Sequence, residues 1–285
     1  MRIVVTGSLG QLGGQLCRLL GPEATGLDLP EFDLTDHRGV LRRIEELAPD
    51  VVINCAAYTH VDRAEAEPQR CRAVNVSGVA YLAEACRRTG ASLVQISTDY
   101  VFGADPARQT PYREDDPPGP VNVYGLSKLE SEHHAKAAPR WLIVRTCGLY
   151  GRLGPRTAGN FVETMIQQAK QRGRLRVVAD QHCTPSYVGH VAQAIRFLVA
   201  VRATGIYHVV NQGQTTWYEF AGEIFRILGW PVQVEPISSG QWHSPARRPS
   251  YSVLDASKYL ALPGRPDLPP WQEALREYLA LRETA

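Results

Sequence analysis

The 285-residue sequence predicts an α/β fold: a doubly wound parallel sheet followed by a smaller mixed lobe. Short, near-continuous apolar runs recur at 2–6, 49–55, 92–97 and 141–146, the pattern of strands buried on both faces. Helical segments alternate with them, and that alternation builds parallel βαβ units. A glycine turn, GSLGQLG at 7–13, joins the first strand to the first helix.

In chain order, residues 2–6 (RIVVT) read as a strand and 11–20 (QLGGQLCRLL) as a helix. A strand-like ATGLD follows at 24–28, then a helix at 37–48. PDVVINC at 49–55 is a strand punctuated by Pro49. Residues 68–88 read as one long helix, with Val74, Leu82, Ala85 and Cys86 turned inward. SLVQIS at 92–97 is a strand. A loop rich in Pro, Asp and Gly (103–120) leads to a helix near 122–137, and WLIVRT at 141–146 is the next strand. Beyond about 150 the pattern loosens. Helices are expected at 160–172, 187–203, 217–229 and 271–282, and short strands at 175–178, 206–210 and 232–236. The expected division is 1–150 for a nucleotide-binding domain and 151–285 for a smaller lobe, with the chain crossing back to the sheet.

Net charge is +2, from 31 basic and 29 acidic residues, so nothing draws the chain non-specifically to nucleic acid or a membrane surface. Six cysteines stand apart, with no C-x-x-C and no zinc spacing, which fits a reducing cytoplasm. The opening MRIVVTGSLG is too short an apolar run for a signal peptide. A cytoplasmic protein is expected, with no metal.

In a strand–turn–helix of this kind, Gly7 permits the tight bend and Gly10 lets the backbone approach a pyrophosphate. Gly13 allows close helix–strand packing, and the helix N-terminus faces the phosphates. Asp28, fifteen residues past Gly13, suits the adenosine ribose hydroxyls and favours NADH; a 2′-phosphate is repelled unless an arginine compensates. The cofactor expectation is therefore NADH or NADPH. Asp33 is placed either at the adenine or in a solvated turn, with Thr35 or Asp36 capping the next helix. The small Ala56 and Ala57, after the third strand, let a cofactor lie against backbone.

S-T-D-Y-V-F at 97–102 leaves the fourth strand at the edge where open α/β sheets bind ligands. Tyr124 and Lys128, four apart, share one helix face. An ammonium beside a phenol lowers the phenol's pKa and suits acid–base chemistry, and a hydroxyl from Ser97 or Thr98 polarises a carbonyl. Together with the glycine turn and the NCAA at 54–57, these motifs resemble the extended short-chain dehydrogenase/reductase superfamily. Within it the chain is most similar to the dTDP-4-dehydrorhamnose reductase family. The similarity runs almost end to end, through PDVVINCAAYTHVDRAE (49–65), ISTDYVFG (96–103), VNVYGLSKLESE (121–132), GNFV (159–162) and RRPSYSVLD (247–255).

The resemblance implies a catalytic set of Thr98, Tyr124 and Lys128 and a nucleotide-linked 4-keto-6-deoxysugar as substrate. Asp99 and Tyr100 are implied to hold sugar hydroxyls. Gly10, Gln11 and Leu12 would approach the pyrophosphate, Asp33 and Leu34 the adenine, and Ala56, Ala57 and Tyr58 the rest of the cofactor. Two segments depart from the family pattern. R-T-C-G at 145–148 puts Gly148 where a tryptophan walls the sugar site, and Cys183 and Ser186 replace a glycine and a threonine in DQHCTPSY. Asn160 is read as a nucleotide-sugar contact or a helix N-cap. Arg248 is read as a partner of the substrate pyrophosphate or half of a surface basic pair. Glu130 and His134, one turn apart, read as a solvated face rather than a metal pair. The rival functions are a nucleotide-sugar epimerase or dehydratase, and a non-catalytic NADP-binding regulatory subunit resembling the methionine adenosyltransferase beta subunit. The sequence leaves the oligomeric state open, a homodimer included.

Overall fold

A computed structural model describes residues 1–157 and 159–283. The nucleotide-binding half runs β1 (Ile3–Thr6), α1 (Gln11–Leu20), β2 (Ala24–Leu27), α2 (His37–Leu47), β3 (Val51–Asn54), α3 (Val61–Ala66), α4 (Pro68–Arg72), α5 (Gly78–Thr89), β4 (Ser92–Thr98), α6 (Val123–Ala135) and β5 (Arg140–Thr146). The rest runs β6 (Leu149–Tyr150), α7 (Phe161–Gln171), β7 (Arg174–Val178), β8 (His182–Cys183), β9 (Ser186–Tyr187), α8 (Val188–Ala200), β10 (Gly205–His208), β11 (Thr215–Thr216), α9 (Trp217–Leu228), β12 (Gln233–Ile237), α10 (Ser257–Leu260) and α11 (Trp271–Glu283).

Six parallel strands form the main sheet in the order β10-β5-β4-β3-β1-β2. The order reverses between β1 and β3, which opens a crevice at their carboxyl ends. Alternate side chains of each strand enter opposite cores, as the period of two requires. Ile3, Val5, Val51, Ile53, Val94 and Val144 pack against α1 and α8, through Leu16, Val191, Ile195 and Leu198. Val4, Val52 and Leu93 pack against α2 and α5, through Val40, Ile44, Leu82 and Cys86. Both faces are therefore dry, which is why the strands read as unbroken apolar runs.

After β9, α8 joins the first of these cores and β10 becomes the sheet edge beside β5. The smaller lobe is assembled from α7, α9, α11 and the parallel pair β7–β12, around Tyr150, Ile166, Phe220, Ile224, Trp271 and Leu275. Among the described residues, no helix is long and apolar enough to cross a membrane.

The single helix expected at 68–88 is instead α4, a π turn over 73–77, and α5. The extra residue in that turn rotates the helix face. Leu82, Ala85 and Cys86 still point inward, but Val74 now lines the cleft described below.

Candidate active site

The crevice is a cleft of about 700 Å³, within the usual size of small-molecule sites. At one end lies the glycine turn. Gly7 has φ +68°, and a Cβ there would sit 2.6 Å from the amide of Ala56, so β1 and β3 close on each other only with glycine at this point. A Cβ on Gly13 would overlap the Gly7 carbonyl oxygen, so α1 packs onto the turn that precedes it only with glycine at this position. The cap residue Gly10 brings no side chain to the first turn of α1, whose orphan N–H groups are suited to phosphate oxygens. Gly7, Gly10, Gln11 and Leu12 all line the cleft, and Gly13 lies just behind them.

Asp28, just past β2, lines the same end. Its Oδ2 accepts from the Leu9 amide and its Oδ1 from the Leu29 amide, both at 2.8 Å. Asp33 and Leu34 also face the cleft. Asp33 closes a local turn through the amide and hydroxyl of Thr35, both at 2.8 Å, and Asp36 caps α2 through Gly39 N. Past β3, Ala56, Ala57 and Tyr58 form the wall. The Tyr58 backbone is clamped by Asn75 from the π turn, whose Oδ1 accepts its amide at 2.8 Å and whose Nδ2 donates to its carbonyl at 3.1 Å. Asn75 also donates to Ser127 on α6 at 2.9 Å. Nothing in the helical pattern of 68–88 signals that role.

At the other end stand Thr98, Tyr124 and Lys128. Thr98 ends β4, and α6 carries the other two. That helix begins at its cap Asn122, whose Oδ1 accepts from Gly125 N at 2.7 Å. A Cβ on Gly125 would overlap the Tyr100 carbonyl oxygen, so glycine between Tyr124 and Leu126 lets α6 press against the end of β4. Burial pushes the Tyr124 phenol up, and its hydrogen bond to Thr98 pulls the other way. The expected lowering by Lys128 is not what governs it. Lys128 is buried and donates from Nζ to the Ile96 carbonyl at 2.6 Å. Burial draws its pKa down to about 8, against the opposing charge of Glu132 one turn on. Glu132 is itself locked: Oε1 accepts from Ser97 Oγ at 2.5 Å and from Arg145 Nε at 2.9 Å, and Oε2 from Arg145 Nη2 at 2.8 Å.

Four residues assigned to the substrate are differently engaged. Asp99 is 3% exposed and outside the cleft wall. It accepts from Thr98 Oγ1 (3.0 Å), Ser252 Oγ (2.6 Å) and Cys147 Sγ (3.1 Å), so it fixes the Thr98 hydroxyl instead of presenting itself to a sugar. Tyr100 stands edge-on to Tyr124, with centroids 6.0 Å apart. Asn160 caps α7 through Glu163 N at 3.0 Å and donates to Gln11 Oε1 at 3.0 Å, so both ends of its amide are engaged within the protein. Arg248 grips Asp62 with its two terminal guanidinium nitrogens, at 3.0 and 2.9 Å, and is not free for a pyrophosphate in this arrangement. Glu130, on the outer face of α6, pairs with Arg72 at 2.6 Å.

Gly148 does line the cleft. Its φ is +52°, and a Cβ would lie 3.1 Å from the Trp217 ring and 3.2 Å from Pro185 Cα. Trp217, from α9, thus occupies the space beside the position where the family pattern has its own tryptophan. Two residues earlier stands Thr146, which no sequence motif singles out. It ends β5 in register with Thr98, lines the cleft, and its Oγ1 is buried with no hydrogen-bond partner among the described residues. Such a group is expected to be satisfied by something bound.

A switch-point crevice with a glycine turn at one end and Thr98, Tyr124 and Lys128 at the other defines an oxidoreductase of the short-chain dehydrogenase/reductase class. The family model described as the RmlD substrate binding domain matches residues 1–283, and the chain belongs to the dTDP-4-dehydrorhamnose reductase family. A dTDP-4-dehydrorhamnose reductase from Streptomyces griseus is 44% identical, over 97% of this chain and 92% of its own length. A spore coat polysaccharide biosynthesis protein from Bacillus subtilis is 39% identical over 100% and 99%. The crystal structure of dTDP-4-dehydrorhamnose reductase from Bacillus anthracis, in complex with NADP, superposes with a TM-score of 0.92 at 39% identity, covering 98% of this chain and 99% of that one.

Proposed function

We propose that this protein reduces the C4 carbonyl of a nucleotide-linked 4-keto-6-deoxysugar, converting dTDP-4-dehydro-L-rhamnose to dTDP-L-rhamnose with NADPH or NADH. The observation that carries the reading is the convergence of Thr98, Tyr124 and Lys128 on one end of a cleft whose other end is the glycine turn. The cleft fits a dinucleotide. Its turn leaves no side chain over the α1 N-terminus, and the orphaned Thr146 hydroxyl awaits a hydrogen-bonding group at the reacting end. When bound, the reduced nicotinamide supplies a hydride to the carbonyl carbon.

The chain's own residues handle the proton and the positioning. Tyr124, held protonated by burial, donates its proton to the oxygen as negative charge develops there. Thr98, whose hydroxyl proton rests on Asp99, turns that proton to the same oxygen when the substrate is seated. Lys128, on the Tyr124 face of α6, offers a positive charge to the ribose. The lobe division at 1–150 and 151–285 is part of the same proposal: the sheet binds the dinucleotide and the later segment closes on the sugar. Six free cysteines fit a reducing cytoplasm.

The test is to follow NADPH and NADH absorbance with dTDP-4-dehydro-L-rhamnose and to identify the product. Cofactor consumption coupled to dTDP-L-rhamnose is expected. Tyr124→Phe should lower turnover about 100-fold or more while cofactor binding persists. A redox-neutral isomer would assign the chain to epimerases. Cofactor binding without turnover, together with capture of a partner enzyme, would assign it a regulatory role.

A further inference from the structure

Between β6 and α7 the chain lies directly on the glycine turn. A Cβ on Gly154 would overlap the Leu9 carbonyl oxygen, and Arg156 N donates to that same oxygen at 3.1 Å. The strap carries the Arg156 side chain to the end of β2. Its Nη1 donates to the Leu29 carbonyl at 3.4 Å, and its Nε stands 3.8 Å from Asp28 Oδ1. Both side chains line the cleft. Asp28 is tied down by the Leu9 and Leu29 amides and is 15% exposed, whereas Arg156 is 47% exposed.

A carboxylate fixed at this point accepts from ribose hydroxyls and repels a phosphate on the 2′ oxygen. A guanidinium beside it cancels that charge and brings planar N–H donors matched to phosphate oxygens. The Asp28–Arg156 pair is long and half exposed, so it is weak, and a phosphate dianion competes well for the arginine. The other cleft arginines are placed differently: Arg63 and Arg70 both pair with Glu67, at 2.6 and 3.5 Å.

We infer that Arg156 is the residue through which this protein accepts the 2′-phosphate of NADPH. Asp28 keeps the site open to NADH, and the pair makes the enzyme competent with both cofactors. The inference rests on the nucleotide-binding reading above and adds to it the group that reads the phosphate. The 152–157 strap then has a binding role, because it brings the second lobe onto the adenosine end of the cofactor as well as onto the sugar.

The test is binding, measured by titration calorimetry on the full chain with NADPH, NADH, adenosine 2′,5′-bisphosphate and AMP. Arg156→Gln should weaken NADPH and the bisphosphate about 10-fold or more, the scale of a lost charge-assisted hydrogen bond. NADH and AMP should stay within about 2-fold, and Arg156→Lys should recover part of the loss. Equal weakening of NADH and NADPH, or no change in either, would overturn the inference while leaving the reductase reading intact. A wild-type chain that binds neither dinucleotide would overturn both.

Discussion

Lys128 shows how far a single charge in this site depends on its surroundings. An ordinary lysine titrates near 10.4, but burial brings Lys128 down to about 8, with Glu132 opposing. In the free protein its charge is present below that pH and lost above it. A bound dinucleotide is anionic and favours the ammonium, so binding above pH 8 must take up a proton. The expected outcome is that NADPH affinity falls as pH rises from 7 to 9.5, by up to about 10-fold, the equivalent of one pKa unit of differential interaction. Fluorescence titration across that range checks it, and Lys128→Met should bind weakly with a flat profile. A wild-type profile as flat as that of the variant would mean that the ammonium is not what the cofactor senses. Tyr124 makes the complementary point. Burial keeps its proton on at neutral pH, the state needed to donate to a carbonyl oxygen, so the reductive direction does not require the lysine to acidify the phenol beforehand.

At the scale of the element, α6 is where sequence and chemistry meet. Its cap, Asn122, does two things: Oδ1 takes the Gly125 amide at 2.7 Å, and Nδ2 donates to the Arg247 carbonyl at 2.8 Å, 125 residues away. Asn122→Ala removes both and should cost about 1 kcal/mol of stability, read as a lower denaturation midpoint. Asn122→Asp keeps the cap and loses the donor to Arg247. If it restores the midpoint but not turnover, the tie to the C-terminal segment is what positions Tyr124. The helix itself is legible from Y-x-x-x-K and its flanks, as are the strands, whose apolar runs follow directly from burial on both faces. The π turn at 73–77 is not legible, because its residues are as helix-compatible as their neighbours and only tertiary bonds from Asn75 betray it. The helix Val61–Ala66 escapes notice because His60 offers no side-chain cap. The two-residue strands β6, β8, β9 and β11 carry no periodicity at all. Arg156 sits in a loop with no pattern; only the strap's packing on the glycine turn brings it to Asp28. Asn160 is legible as a helix cap, the alternative its residue type offers, whereas Asp99 gives no sign in sequence of whether it faces a ligand or holds up its neighbour Thr98.

Across the whole molecule, the sheet edge, the 103–120 loop and the C-terminal segment meet at His208. Its amide donates to Glu114 Oε1 at 2.9 Å, its ring Nδ1 lies 3.1 Å from the Asp255 carbonyl oxygen, and its ring stands edge-on to Phe102. Glu114 faces its amide; at the ring, Arg145 opposes protonation, while the Asp255 and Tyr112 backbone and the Asp255 charge favour it. Burial dominates and brings the pKa down to about 3, from about 6.5 in an unfolded chain. Above pH 6.5 the imidazole is neutral in both states and costs nothing. Below it, the unfolded chain binds a proton that the folded chain refuses, so stability falls as pH drops from about 6.5 towards 3. By pH 5 the loss is on the order of 2 kcal/mol. Asp62 adds a separate, later loss: Arg248 holds its carboxylate down at about 2, so that contribution disappears only below about pH 4, the unfolded carboxylate value. The two are separable by their onset. Denaturation midpoints measured from pH 7.5 to 4 should begin to fall near 6.5 in the wild type. In His208→Asn, whose amide nitrogen can replace the ring donor to Asp255, the midpoint should start lower at pH 7.5 and stay level until about pH 4. A variant whose midpoint falls in parallel with the wild type from 6.5 downward would place the acid-sensitive group elsewhere and leave the junction at β10 a matter of packing alone.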